Sequence, residues 1–248
     1  MSTNFIIVTP TYNAEDWIER NILSLKNQKY KNFKSFIVND LSTDRTKSIA
    51  QECINGDTRF SCIDNQEKSY PLGSTINAIN FAEPAKEDVI VILDGDDWLY
   101  NEDALSKLNN EYEKSNCLMT YGSYIEFPSE NRGLFCQQIP QEIIDNNSYR
   151  EYQFMASHLK SFKFKLWQKI KHSDLLDYED NPYPMAGDIA YAFPLLEMAG
   201  DRAKFIKDIL YVYNSYNPLN EHKTDHDLQL SIEKEIRRKN KYSLEDFE

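Results

Sequence analysis

Four short apolar runs, each rich in β-branched residues, punctuate the first hundred positions: "NFIIVT", "KSFIVND", "RFSCID" and "DVIVILD". Between them lie stretches whose apolar residues recur at helical spacing. Ile18, Ile22 and Leu25 share one face after Asn13, which is placed to cap a helix with Asp16 at its third position. Ser42 or Thr43 opens the next, with Ile49 and Cys53 inward. "GSTINAINFA" makes a third, led by Gly73 and Ser74, and a fourth runs from about Glu102 to Lys114. Continuously apolar strands alternating with helices predict an α/β fold with a mostly parallel central sheet flanked by helices. Such sheets bind ligands beyond the carboxyl ends of their strands. Asn39-Asp40 and Asp94 to Asp97 both occupy that position, so two acidic strand ends open into one crevice.

After "CLMTYGSYIEF" the pattern weakens. Pro128 to Tyr149 is polar, carries Gly133, Pro140 and Asn146-Asn147, and is expected to be a mobile loop. Regular structure is expected again in "EYQFMASHL" and "FKFKLWQKI". A helix from about Asp188 to Ala199, strand-like "KFI" and "ILYVYN", and a charged helix from about Asp227 complete the chain. With no repeat and no linker, positions 1–248 read as a single domain. It has a regular half to about 127, a less regular half over about 128–225 and a helical tail over about 226–248.

The net charge of -12 excludes nucleic acid as a partner, because no basic field exists to neutralise a phosphate backbone. "EKEIRRKNK" reads as the solvated face of the last helix. No segment reaches the ~20 apolar residues of an integral membrane span. "MSTNFIIVTPTYN" lacks the basic start of a signal peptide, so a cytoplasmic protein is expected, with peripheral membrane association open. Cys53, Cys62, Cys117 and Cys136 are scattered and read as reduced structural thiols. With seven glycines, neither G-x-x-x-x-G-K nor G-x-G-x-x-G occurs.

The stretch "VIVILDGDDWLY" crowds Asp94, Asp96 and Asp97 into four positions at the end of an apolar strand. Like charges so close repel unless some are protonated or something positive sits among them. Acids after a strand often only cap a helix or form a turn. A second acidic strand end beside them favours instead a hard divalent cation, Mg²⁺ or Mn²⁺, which takes carboxylate oxygens and keeps positions for substrate phosphates.

These motifs carry a resemblance. "IIVTPTYNAEDWIERNILSLKNQKYKNFKSFIVNDLSTDRTKSIA", "VIVILDGDDWL" and "AGDIAYAFPLLEMAGDRAKFIKDILYVYN" resemble, in order and spacing, glycosyltransferase family 2, whose members have the GT-A fold. The resemblance runs roughly from Phe5 to Asn214. It implies an inverting transferase that moves a sugar from a nucleoside-diphosphate sugar to a glycan or other hydroxyl-bearing acceptor. The first half would then bind the nucleotide sugar and the second the acceptor. Thr11 and Tyr12 correspond to positions that line the nucleotide, and Asp40 to the carboxylate that accepts from a uracil ring, which points to a UDP-sugar. Asp94 and Asp96 correspond to the D-x-D pair that contacts the ribose and, through the metal, the diphosphate. Asp97 follows as a metal or sugar contact, and at least one of Asp96 and Asp97 is expected to be a direct ligand. Asp188 corresponds to the catalytic base, with an ordinary helix cap as the competing reading.

The chain departs from the pattern at Asn39, where Asp is frequent, and at Ile76-Asn77, where an Arg-Asn step is frequent, which leaves Asn77 as a soft nucleotide contact. His222 is the candidate for a further metal ligand near the C-terminus, with His226 four residues on; an exposed, unliganded His222 competes. Trp98 reads as packing beneath the site. Lys160, Lys163 and Lys165 alternate with Phe as in an edge strand and stay outside the site. Two other readings remain: a degenerate sugar-nucleotide-binding protein, and a Mg²⁺-dependent phosphatase of haloacid-dehalogenase type, which carries its D-x-D on the first strand.

Overall fold

The computed structural model describes residues 2–247, without the side chains of 221 and 222. The regular half alternates as the periodicity predicts: β1 (Phe5–Thr11), α1 (Ile18–Lys26), β2 (Phe33–Asn39), α2 (Thr46–Ile54), β3 (Phe60–Asp64), α3 (Tyr70–Ala82) and β4 (Val89–Ile92). Then come β5 (Trp98–Leu99), α4 (Ala104–Lys114) and β6 (Met119–Phe127). The rest comprises α5 (Gln141–Asp145), β7 (Lys160–Lys163), α6 (Phe164–Trp167), α7 (Gly187–Ala199), β8 (Ala203–Asn214), α8 (Glu221–Thr224) and α9 (His226–Arg238).

Strands from both halves form one eight-stranded sheet in the order β3-β2-β1-β4-β7-β6-β8-β5. All strands run the same way except β5 and β7. The period of two sorts side chains between two cores. Phe5, Ile7, Ile37, Val89 and Val91 pack against Ile18, Ile22 and Leu25 of α1 and Leu105 and Leu108 of α4. Their neighbours Ile6, Val8, Phe36, Val38, Ile90 and Ile92 pack on the other face against Leu72 and Ile79 of α3 and Ile189, Phe193 and Leu196 of α7. Each such side chain contributes about 1.5–3 kcal/mol relative to exposure. Among the described residues no helix is long and apolar enough to cross a membrane.

Several local expectations are corrected. Asn13 does not cap α1: its backbone is left-handed (φ 46) and its Oδ1 accepts from the Thr43 N–H at 2.8 Å, so the helix starts five residues later. Helix α2 starts at Thr46 rather than at Ser42 or Thr43, with its first N–H on Asp44 Oδ1 at 2.9 Å. "EYQFMASHL" is irregular up to Lys160, and "KFI" and "ILYVYN" fuse into β8, whose pairing with β6 shifts register around Ser123. The stretch expected to be a mobile loop is mostly exposed, but it carries the short helix α5 and two buried anchors. Ile139 and Tyr149 are buried, the Ile139 N–H donates to the Tyr121 hydroxyl, and buried Arg150, which follows it, pairs with Glu197 of α7 at 2.5 Å.

Candidate active site

The carboxyl ends of β1 and β4, the turn after β2, the starts of α3 and α7 and the segment from Asn217 to Gln229 enclose a cleft of about 630 Å³. The acidic run enters its floor through Gly95, whose N–H donates to the Pro10 carbonyl at 2.9 Å. A Cβ here would press into the Thr11 hydroxyl and the Pro10 carbonyl oxygen, so only glycine lets the run lie against β1. Buried Asn21 of α1 fastens the run from behind, donating to the carbonyls of Asp94 (2.9 Å) and Asp97 (2.8 Å).

The three acids then diverge. Asp97 is buried and both its oxygens are engaged, one by the Tyr211 hydroxyl at 2.5 Å and the other by the Asn214 N–H at 2.6 Å. Asp96 accepts from Asn217 Nδ2 at 2.6 Å, and Asp94 lies 3.3 Å from the Tyr211 hydroxyl. Burial, then the charge of Asp96, pushes the Asp94 carboxyl up to about 6, against the pull of Lys160. Burial also raises Asp96, and burial followed by the charges of Asp96 and Asp94 raises Asp97. The repulsion legible in the sequence is therefore present, and protonation is one relief of it.

Asp40 has the opposite surroundings. Its Oδ1 accepts from Asn65 Nδ2 (2.9 Å) and the Ser69 N–H (2.8 Å), and its Oδ2 from the Tyr70 N–H (2.9 Å) and Lys68 Nζ (3.0 Å). Burial acts to raise this carboxyl, but the hydrogen bonds from Asn65, Ser69 and Lys68 prevail and hold it below the usual range. The Lys68 ammonium also stands 3.0 Å from the centroid of the exposed Tyr12 ring. Asn77 does not line the cleft; it donates to Asn65 Oδ1 at 3.0 Å, and so orients the amide that holds Asp40. Asn39 binds Asp64 of β3 at 2.8 Å.

Asp188 enters from α7. Every other residue of this helix is buried, while the Asp188 side chain is 43% exposed in the cleft. Gly187 permits the approach, since a Cβ on it would lie 2.7 Å from Leu72 Cβ of α3. Left-handed Ala186 (φ 52) turns the chain into the helix. Asp188 Oδ2 accepts from Lys160 Nζ at 3.1 Å.

Thr11, Tyr12, Asp40, Asp94, Asp96, Asp97 and Asp188 thus share one cleft. Trp98 lies outside it, buried with the Arg20 guanidinium 3.6 Å over its ring. The side chain of His222 lies outside the described residues. Sequence reasoning missed Lys68, Asn65, Asn217, Tyr211, His158 and Lys160. Lys160 was set aside on the edge-strand reading, yet β7 is central, between β4 and β6, and Lys160 is buried there. Lys163 and Lys165 point elsewhere, to Glu87. His158 stacks on Tyr211 at 4.5 Å; burial, and then Lys160, hold its imidazole far below its ordinary value and hence neutral.

Among the described residues no group of three or more His, Cys, Asp or Glu is placed to hold a metal ion. The donor set nonetheless suits a hard cation of the Mg²⁺ kind, which is held by one or two carboxylates plus substrate phosphates. Asp94 and Asp96 each keep an oxygen unclaimed by the described protein donors, and both carry charge that burial disfavours.

Comparison with known proteins identifies the family and the fold. The family model for glycosyl transferase family 2 matches residues 6–173, more than half of the chain. An uncharacterized glycosyltransferase of Haemophilus influenzae is 25% identical over 220 residues, which cover 85% of this chain and 86% of that one. S. aureus TarS (residues 1–349) in complex with UDP-GlcNAc superposes with a TM-score of 0.65 at 17% identity, over 90% of this chain and 61% of that one. The mannosyltransferase PcManGT from Pyrobaculum calidifontis in complex with GDP-Man and Mn²⁺ gives 0.61 at 17% identity, over 90% and 59%. Other curated relatives are longer than this chain, which spans as little as 30% of one of them. The fold is the GT-A fold of these solved glycosyltransferases. An acidic run that closes the fourth strand, within the span that the family model matches, leaves nothing to support the phosphatase reading; the protein is a glycosyltransferase and the chain belongs to glycosyl transferase family 2.

Proposed function

We propose that the protein transfers a sugar, with inversion, from a UDP-sugar to an acceptor hydroxyl, with Asp188 as the base and a Mg²⁺ or Mn²⁺ ion held by Asp96 and Asp94. The observation that carries this reading is Asp188 itself, a half-exposed carboxylate on an otherwise buried helix, sharing a cleft with the acidic run. In the step the acceptor oxygen bonds to the anomeric carbon while the bond from that carbon to the diphosphate oxygen breaks. The electron pair departs with UDP, and the acceptor proton passes to Asp188. A bound divalent cation supplies positive charge to the leaving diphosphate; the Mn²⁺ in the PcManGT complex supports a metal in this fold.

The uracil assignment rests on Asp40 and on the UDP-GlcNAc complex of TarS. Asp40 already holds four donors, and of these only Lys68 is a long side chain, 34% exposed. The ring N–H takes the place of Lys68 on Oδ2, with the base against Tyr12. Asp97, expected beside Asp96 as a ligand, receives an anchoring role instead, because it is buried and each of its oxygens already accepts a hydrogen bond, from Tyr211 and from Asn214.

The test is Asp188→Asn, assayed by UDP release from UDP-sugars with Mn²⁺, water standing in for the acceptor. Turnover is expected to fall about 100-fold or more, with UDP affinity retained by calorimetry. Wild-type rates in this variant would overturn the assignment of the base, and binding without turnover in the wild type would favour a sugar-nucleotide-binding protein.

A further inference from the structure

Lys160 is the buried cation of this cleft, and its position is set by the sheet. It stands opposite Ile92 in the β4–β7 ladder, so it emerges beside the start of the acidic run. Its side chain is 3% exposed, while that of its partner Asp188 is 43% exposed. A buried ammonium costs several kcal/mol to desolvate unless it is paired. By contrast, the Arg150–Glu197 pair buries both charges, at 3% and 0%. In the Lys160–Asp188 pair the cation lies beneath and the carboxylate stays open. Only Oδ2 of Asp188 is engaged, and no described protein donor claims Oδ1.

We propose that Lys160 is a positioning residue for the base: it fixes the Asp188 carboxylate by Oδ2, keeps it charged beside the acidic run, and leaves Oδ1 for the acceptor proton. The inference rests on the reading of Asp188 as the base. The charged and titratable groups lining the cleft with Asp188 are the carboxylates Asp40, Asp94, Asp96, Asp97 and Asp225, the cations Lys68 and Lys160, His158, and Tyr12, Tyr70, Tyr191 and Tyr213. Burial, and then Lys160, hold the His158 imidazole far below its ordinary value. Of the two cations Lys160 is the one paired with Asp188, while Lys68 is paired with Asp40.

Lys160→Met tests this in the full-length chain, with Lys160→Arg as the conservative partner. In UDP-sugar hydrolysis with Mn²⁺, Lys160→Met is expected to lower kcat by up to about tenfold on the acid limb of the rate profile, and by less above it. Removing a nearby cation raises a carboxyl's pKa, so the acid limb of the rate profile moves up by about one pH unit. KM for the donor changes less than about threefold, since uniform binding is untouched. Lys160→Arg keeps the charge and restores the acid limb. A measurement independent of donor identity is the ¹³C titration of the Asp188 carboxyl, assigned by difference with Asp188→Asn; its midpoint is expected to rise in Lys160→Met and return in Lys160→Arg. UDP binding reports folding in each variant. An unmoved acid limb and an unmoved midpoint in Lys160→Met overturn the inference. If Asp188→Asn is inactive while Lys160→Met behaves as wild type, Lys160 alone loses its role; if Asp188→Asn is fully active, the base assignment falls first.

Discussion

The two ends of the cleft treat their carboxylates in opposite ways. At one end Asp40 is buried beneath four donors, and its environment favours the charged form. At the other, Asp94 and Asp96 receive few donors, and burial together with mutual repulsion disfavours their charge. A saturated carboxylate works on the protein itself: Asp40 ties the turn after β2 to the start of α3. On the proposal that Asp94 and Asp96 hold a divalent cation, the undersupplied pair keeps its repulsion until that cation binds, which leaves binding energy in place for it. Proximity of acids in sequence distinguishes neither case. The count of donors on each oxygen does.

The largest expected effect lies at the undersupplied end. Asp96→Asn removes a proposed metal ligand, and UDP-sugar hydrolysis should fall by about 100-fold or more, the several kcal/mol that a metal contributes to a leaving diphosphate. The residual rate should no longer respond to MnCl₂. A variant with a full Mn²⁺ response would move the ion away from Asp96.

A smaller pair of effects sets the two ends directly against each other, and its outcome is a difference in sign. Asp94 carries a folded pKa of about 6, above its unfolded value, so the metal-free protein loses stability as pH rises from about 4 through 6. Asp94→Asn should therefore stabilise the metal-free protein at pH 8, by roughly 1–3 kcal/mol, and much less at pH 5. For Asp40 the folded pKa is depressed, so its contribution is present above the ordinary carboxyl range and disappears as pH falls through the folded value. Asp40→Ala leaves two backbone N–H groups and buried Asn65 without their acceptor and should cost about 1–3 kcal/mol at pH 8. Thermal unfolding in EDTA at both pH values reads both variants; shifts of the same sign would erase the distinction.

The contrast also explains what was legible beforehand. β1 to β4 and their helices could be read because their side chains follow a local period of two or 3.6, and the acidic strand ends followed from where those strands stop. The roles of individual acids could not, because the deciding donors are remote in sequence. Tyr211 and Asn214 reach Asp97 across 114 and 117 positions, and Asn217 reaches Asp96 across 121. Lys160 was misjudged for a related reason. Its alternating Lys-Phe pattern fits an edge strand, and only the insertion of β7 between β4 and β6 makes it central. Pro128 to Tyr149 looked loose because it is polar, yet its neighbour Arg150 finds Glu197 across 47 positions.

The smallest effect tests the one replaceable donor at the saturated end. Lys68 Nζ lies 3.0 Å from Asp40 Oδ2 and 3.0 Å from the centroid of the Tyr12 ring, which is the place proposed for the base. A half-exposed pair of this kind is worth about 0–1 kcal/mol, so displacing it handicaps nucleotide binding only slightly. Lys68→Ala should bind uridine, which is neutral, about three- to fivefold more tightly, within that range. For UDP the gain should be smaller, because losing a cation near the cleft also weakens attraction to the diphosphate, and raising the salt concentration should narrow the gap between the two ligands. Weaker uridine binding in Lys68→Ala would mean that the ammonium contacts the base rather than standing in its place, and unchanged binding would move the base away from Asp40.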